Sequence, residues 1–316
     1  MNRVFLIGNG ESRKDFDLSL LKPHGKLFGC NAIYRDHPEL IDVLTAVDNG
    51  IVHEIYHSGF AYNKPCWFRN WTKVPAEMYE TVVGGFVTSE DYNLVKDLDV
   101  IKENERGDAK EFVIHGTSIA GMASIIKNVK RSHPHATPDI VRKKIQSSQV
   151  FVSWIHENDK SHDLREVWKD YKDHGWACGP SSGYIATKVE QPDEIYLLGH
   201  DLVSDTLLLN NMFKNTKHYG IEQNSAIPAD NWISQWYTLM DWNPNIKFYK
   251  VNKGTDDKPT NKKIDKWKKW EDQGRLQYIT QAQLVDKMSK MWYNKNYVWQ
   301  IYILTIRLDR WEVWED

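Results

Sequence analysis

The chain reads as an α/β protein built on a Rossmann-like parallel sheet with helices on both faces, and two observations carry that reading. Short apolar runs bounded by turn residues recur at Val4 to Ile7, Leu27 to Cys30, Val43 to Val47, Phe112 to Ile114, Val150 to Trp154, Ile195 to Leu198 and Ile246 to Val251. Such runs are apolar at successive positions, as strands covered on both faces must be. Between several of them stand segments of helical spacing: Ile119, Met122, Ala123 and Ile126 after Thr117, and Ile233, Trp236, Tyr237 and Met240 after Asp230. Strands alternating with helices imply crossover connections, and hence parallel pairing.

The 316 residues, 41% hydrophobic and 27% charged, suffice for a substantial core and exclude disorder throughout. Residues 1 to 255 are expected to form the body, with a less periodic insertion at about 62 to 110 that holds Gly84, Gly85 and the charged run Lys102 to Lys110. Beyond the polar stretch Asn252 to Thr260, residues 256 to 316 read as a helical appendage. A net charge of -2 gives no chain-wide attraction to nucleic acid or anionic membrane. Cys30, Cys66 and Cys178 are odd in number and lack metal-type spacing, which predicts neither a disulfide framework nor a zinc site and fits a reducing, cytoplasmic setting. The start, MNRVFLIGNGES, enters a strand at once and lacks the regions of a signal peptide. No apolar stretch approaches the roughly 20 residues needed to cross a bilayer.

Taken in order, the first strand runs into Gly8-Asn9-Gly10-Glu11-Ser12, after which a charged, helical stretch is expected from Arg13. Glycines in such a turn permit close backbone approach, and Ser12 is placed to cap the helix or hold a phosphate. The pattern is neither the full dinucleotide fingerprint nor a P-loop, because the third glycine and the Gly-Lys-Ser/Thr ending are absent. The next two strands end in Cys30-Asn31 and in Asp48-Asn49. In an open α/β sheet the carboxyl ends of neighbouring strands form the ligand crevice, so Asn9, Asn31, Asp48 and Asn49 are expected to converge there. Further on, Gly179-Pro180-Ser181-Ser182-Gly183 opens a helix that offers N–H groups and hydroxyls to an anion, and the following strand delivers His200 and Asp201.

Gly8-Asn9-Gly10 with Ser12, Asp17, Ser19 and Leu21, Cys30-Asn31 with Tyr34 and Asp36, and Ser182-Gly183 followed by Glu194-Ile195-Tyr196-Leu197, Gly199 and Asp201 resemble, in order and spacing, the bacterial sialyltransferases of glycosyltransferase family 42 and their relatives, often phage-encoded. The resemblance spans about a third of the chain. It implies a GT-A-like Rossmann variant that carries no tightly bound cofactor or metal and takes a CMP- or UDP-sugar as donor. The sugar would pass by single displacement to a hydroxyl on a glycan or on a hydroxymethylated base in phage DNA, the latter within the host cytoplasm. It implies further that Asn9, Asn31 and Ser182 hold the nucleotide and its phosphate, with Gly10 and Ser12 in the same turn. Asp48-Asn49 stand where the family has an asparagine.

Displacement at an anomeric carbon needs a base and a group to neutralise the leaving phosphate. His200 and His218 are the base candidates, with Asp48 as ribose ligand or alternative base; Ser181, Ser182, Lys217 and Tyr219 could neutralise the phosphate. The run Asn261 to Trp270, with Lys262, Lys263, Lys266, Trp267 and Lys269, has the lysines and aromatics that a nucleic-acid acceptor calls for, although such a run also serves as a solvated helix face. Two other readings stay open: a relative of archaeal-type pterin diphosphokinases that uses Mg-ATP, and a catalytically silent nucleotide-binding module.

Overall fold

The computed structural model describes residues 1–69 and 176–290, apart from 205, 256–257 and 260–262, together with the strand residues 73–75, 99–101, 111–115 and 152–155. Its centre is a sheet of eight strands: β1 (Arg3–Ile7), β2 (Lys26–Cys30), β3 (Val43–Ala46), β4 (Cys66–Arg69), β5 (Val152–Ile155), β6 (Glu194–Leu198), β7 (Lys247–Asn252) and β8 (Leu276–Thr280). They lie in the order β8-β7-β6-β1-β2-β3-β4-β5, with every neighbouring pair parallel. From β1 the chain steps outward through β2, β3 and β4 on one side, and from β6 through β7 and β8 on the other. The reversal falls between β1 and β6, and ligands bind beyond the carboxyl ends of strands at such a switch point.

The inner strands alternate between two buried faces. Val4 and Leu6 of β1, Phe28 of β2, Val43 of β3, Ile195 and Leu197 of β6 and Phe248 of β7 pack with α2 (Cys178–Val189) and α3 (Asp230–Trp242) through Tyr184, Ile185, Trp236 and Leu239. Phe5, Ile7, Leu27, Leu44, Tyr196, Leu198, Tyr249 and Val251 pack on the opposite face with Ile51, Val52 and Ile55 of α1 (Asn49–Ser58) and with Leu284 and Met288 of the helical residues 281–290. Burial of each such side chain is worth about 1.5–3 kcal/mol.

Three expectations differ from what is seen. The stretch after Arg13 is not an α-helix: Glu11–Arg13 and Leu18–His24 are 3-10 turns, because Arg13 is drawn inward to 1% exposure and the Asp17 carboxylate takes up the Ser19 N–H at 2.9 Å. Cys66–Arg69, within the expected insertion, joins the main sheet, whereas Glu111–His115 pairs antiparallel with Lys73–Pro75 and Asp99–Ile101 in a separate sheet. The chain beyond 255 is not helical throughout, since β8 forms the sheet edge before residues 281–290 resume a helix. That last helix opens with a reciprocal capping box between Thr280 and Gln283. The segment after Thr117, Gly84, Gly85 and the charged run Lys102 to Lys110 lie outside the described residues, apart from the isolated strands.

α2 and α3 approach closely at Gly183. A Cβ there would stand 2.7 Å from Leu239 Cδ2 and 2.8 Å from Trp236 Cζ3, so that one of these buried side chains would have to shift. Gly183→Ala is expected to cost about 1–3 kcal/mol in a urea unfolding curve; a change below 0.5 kcal/mol would mean that the helices separate freely.

Candidate functional site

At the switch point the turns after β1 and β6 close on one another. The Gly8 N–H donates to the Leu198 carbonyl and the Gly10 N–H to the Gly199 carbonyl, both at 2.8 Å. A Cβ on Gly8 would meet the Gly199 oxygen at 2.5 Å, and one on Gly10 would meet the Asp201 carboxylate at 2.4 Å. Gly199 itself lies in the left-handed region at φ +67°, which glycine enters without strain. Asp201 seals the seam by accepting the Ser12 N–H at 3.0 Å and the Ser12 hydroxyl. Gly8, Gly10, Ser12 and Asp201 are therefore brought together, and their polar groups are spent mostly on each other.

Beneath this seam lies Arg13, which sequence reasoning did not single out. Its Nε donates to the Gly8 carbonyl at 2.6 Å and its Nη2 reaches the Asn9 Oδ1 at 3.4 Å. Burial pulls its pKa down to about 10, with Asp36, Cys30 and Asp201 acting in the opposite direction, so the guanidinium keeps its charge at neutral pH. A cation is thus fixed at the tips of β1 and β6. Asn9 then spans to the next strand, donating from Nδ2 to the Cys30 carbonyl at 3.0 Å. Asn31 follows Cys30 in the left-handed region at φ 51°, a conformation asparagine tolerates better than most residues, and its Oδ1 is buried without a protein partner.

Over the tips of β2 and β3 stands the amino end of α2. Its cap, Ala177, has no side chain to hold the first N–H groups, and Pro180 has no N–H of its own. The Cys178 thiol donates to the Thr45 carbonyl at 2.8 Å and packs with Cys30 and Val47. Ser182, one turn further on the same helix face, is fully buried and its Oγ has no protein partner; the Thr45 hydroxyl is in the same state. Ser181 reaches only the Trp176 carbonyl, at 3.4 Å, and Gly183 faces α3.

Tyr219 and His218 arrive from the excursion between β6 and α3. The Tyr219 hydroxyl accepts the Ala32 N–H at 3.3 Å, and burial, with Cys178 and Asp48 nearby, pushes its phenol well above the usual range. His218 lies across the first turn of α1, where a Cβ on Gly50 would be 2.5 Å from its Nδ1, and its Nε2 stands 3.5 Å from the Glu54 carboxylate. Glu54 is itself gripped by Arg35 through two bonds of 2.6 and 2.7 Å and by the Tyr34 hydroxyl, and the Arg35 bonds foremost hold its carboxyl below the usual range. Arg35 also donates to Thr216 Oγ1 at 2.8 Å and to the Lys217 carbonyl at 3.1 Å, fastening the segment that carries His218 and Tyr219. Asp48, at the end of β3, is exposed beside these groups, and Asn49 opens α1. An imidazole oriented by a carboxylate that an arginine fixes is an arrangement suited to proton transfer.

His200 stands apart from this group. It is 8% exposed, edge-on to Trp236 with ring centres 5.2 Å apart, and its ring fills the space left by Gly8 and Gly179. Burial first, then the Lys250 ammonium, push its pKa down to about 3, against the opposing pull of Asp201 and of a hydrogen-bonding contact with the Leu6 backbone. A ring so enclosed and so weakly basic is placed as a packing element. In the C-terminal basic run, Trp267 is completely buried, donating from its indole to the Ile233 carbonyl, and Trp270 is buried beside it. Lys263 pairs with Glu271, Lys266 donates to Ser234 Oγ, and Lys269 lies over the Trp270 ring and 3.5 Å from Asp241; Lys262 lies outside the described residues. The run therefore shows lysines but no aromatic platform for bases. Among the described residues no cluster of three His, Cys, Asp or Glu side chains could hold a metal, and no helix is long and apolar enough to cross a membrane.

No protein-family model and no curated protein matches the chain. Among solved structures, the sialyltransferase CstII from Campylobacter jejuni in complex with a substrate analogue, cytidine-5'-monophosphate, is similar at 15% identity and a TM-score of 0.39, over 79% of each chain. The same enzyme with a trisaccharide acceptor and CMP gives 13% and 0.23, over 77% of this chain and 100% of that one. A point variant described as an alpha-2,3/8-sialyltransferase gives 13% and 0.23 over 75% and 99%. Values this low are no argument about the site, and the fold stands on the chain's own strand pairing.

The depressed His200 pKa has a measurable consequence. Between pH 6.5 and about 3 the unfolded imidazole binds a proton that the folded one refuses, so His200 makes stability fall as pH drops through that window. His200→Gln is expected to remove a slope of up to about 1.4 kcal/mol per pH unit from the unfolding free energy there. Parallel slopes for the two proteins in urea titrations at pH 6.5, 5.5 and 4.5 would contradict a buried neutral ring.

Proposed function

We propose that the chain is a glycosyltransferase that uses a nucleotide-activated sugar, CMP- or UDP-linked, and passes the sugar to a hydroxyl of a glycan acceptor. The observation that carries this reading is the unpartnered Asn31 Oδ1 at the tip of β2, next to the Cys30 that packs against Cys178 at the amino end of α2. A buried acceptor without a partner costs about 1–3 kcal/mol unless a ligand or water satisfies it. An uncapped helix start beside it favours an anion. Arg13 supplies fixed positive charge behind the first turn. In this reading Asn9 and Asn31 hold the nucleoside, the first turn of α2 with Tyr219 holds the phosphate, and Asp48 holds the ribose.

His218 serves as the base. Direct displacement requires the acceptor hydroxyl to lose a proton as the new bond to the anomeric carbon forms and the bond to the phosphate oxygen breaks. His218, oriented by Glu54, takes that proton, while the α2 N–H groups neutralise the departing phosphate. The residue resemblance to family 42 transferases points the same way. The buried Trp267 and Trp270 speak against a polynucleotide acceptor.

A thermal-shift panel of CMP, UDP, GDP and ATP with their sugar derivatives, with and without Mg²⁺, tests the assignment. A pyrimidine nucleotide at 100 times its Kd should stabilise the protein by about 2.7 kcal/mol without metal. Asn31→Gly keeps the left-handed backbone and removes the amide, so it should abolish most of that shift, whereas His218→Ala should retain the shift and lose sugar release by at least about 100-fold. Stabilisation by Mg-ATP alone would transfer the chain to phosphoryl chemistry; binding without turnover on any sugar donor would make it a nucleotide-binding module.

A further inference from the structure

We propose that Cys30 and Cys178 are a redox modification site, a thiol pair that closes reversibly to a disulfide and thereby controls access to the rim of the candidate pocket. The two residues come from distant parts of the chain, the end of β2 and the first position of α2, yet share one small buried cluster with Val47. Both thiols are free, at 4% and 7% exposure. Their approach follows from strand register. Thr45 is the partner of Cys30 across the parallel β2–β3 pair, so the two residues sit on adjacent strands about 4.8 Å apart with side chains on the same face. The Cys178 sulfur rests 2.8 Å from the Thr45 carbonyl, which sets it over the same spot and in hydrogen-bonding contact with the Cys30 thiol. Contact between the two buried side chains is what a disulfide, which spans a Cα separation of about 4.4–6.8 Å, requires.

The location gives the bond a consequence. The Cys30 carbonyl accepts from Asn9, the next residue is Asn31, and Ala32 donates to Tyr219. Cys178 begins the helix whose amino end, without a side-chain cap from Ala177, borders the same space. A covalent link would draw the α2 start onto the β2 tip and narrow the gap between Asn31 and that amino end. Burial and the neighbouring thiol hold the Cys178 proton firmly, so little thiolate is present at neutral pH and the pair stays reduced until a small, strong oxidant reaches it.

With hydrogen peroxide as oxidant the step balances. One thiol attacks the peroxide, its sulfur becoming a sulfenic acid as the O–O bond breaks and one water leaves. The second thiol then attacks that sulfur, the S–S bond forms and a second water departs. Two thiols are oxidised, one peroxide is reduced to two waters, and a dithiol reductant reverses the change.

The pocket consequence rests on the function proposed above, but the bond itself does not, and the test separates the two. The intact protein is treated with hydrogen peroxide, denatured, alkylated with a maleimide and analysed by intact mass and peptide mapping. The expected result is a loss of about 2 Da, a Cys30–Cys178 cross-linked peptide and one alkylated thiol, Cys66, with all three thiols alkylated after dithiothreitol. Cys66 lies on β4 with its thiol turned to the Lys64 carbonyl and serves as the internal control. Cys30→Ser and Cys178→Ser, either sufficing if the other folds poorly, should show two alkylated thiols before peroxide and no cross-linked peptide after it. Three free thiols after oxidation, or a link that includes Cys66, would overturn the pair. The thermal shift by CMP should fall at least about tenfold in apparent affinity in the oxidised protein and recover on reduction. An unchanged CMP shift in an oxidised, cross-linked protein would overturn the control of the pocket. If CMP does not stabilise even the reduced protein, the nucleotide assignment has failed and the peptide map alone decides the pair.

Discussion

The contact on which the carboxyl-terminal edge of the sheet depends is backbone against backbone, between the turn after β1 and the turn after β6. Two hydrogen bonds of 2.8 Å cross it, and no side chain fits between Gly8, Gly10 and Gly199. At a switch point the connections after the two strands leave to opposite sides, so the pairing of β1 with β6 does not by itself hold the turns beyond them together. Here the absence of Cβ atoms permits the approach, and Ser12 with Asp201 locks it. Arg13 fills the space beneath, at a desolvation cost of several kcal/mol that two acceptors and the nearby Asp36 and Asp201 carboxylates offset in part.

That closure uses up the hydrogen-bonding groups of the turn after β1. The turn after β1 resembles a phosphate-binding loop in sequence, but its N–H groups are directed at Leu198, Gly199 and Asp201, and the helix that would supply a dipole behind it is absent. Unsatisfied polar atoms appear one and two strands further along instead, on Asn31, Thr45 and Ser182, beside an uncapped helix. The electrostatic preference for an anion is thereby shifted from β1 towards β2 and β3, with Arg13 behind and the Arg35–Glu54–His218 series along the outer wall.

Much of the sheet is legible in the sequence because parallel strands buried on both faces are written as continuous apolar runs; β1, β2, β3, β6 and β7 all declare themselves this way. β8 is not, since Leu-Gln-Tyr-Ile-Thr is an edge strand with Gln277 exposed and Tyr278 and Ile279 only half-buried, and it resembles a loop between charged helices. β4 is hidden by its shortness, three hydrophobic residues before Arg69. Among the candidate site residues, Asn9, Asn31 and Asp48 could be named from strand ends and motif spacing, and Tyr219 from its place beside His218 on a connecting segment. Arg13 and Glu54 could not, because each is one charged residue among many until the fold shows its partners. His200 and His218 are equivalent on paper, and only burial separates a ring packed against Trp236 from one held at a surface carboxylate.

The edge strand β8 has a practical bearing on how this protein can be dissected. Trp267 and Trp270 belong to the core beneath α3, and Gln281 donates to the Ser12 carbonyl at 2.7 Å, so the final elements are woven into the first turn of the molecule. A fragment trimmed at residue 255 would strip the β7 flank of its hydrogen-bonding partner and lay two indole-sized hollows open to water. Such raw flanks recruit strands from other molecules. Shortened versions made for crystallisation or expression should therefore retain the chain at least through the helix at 281–290.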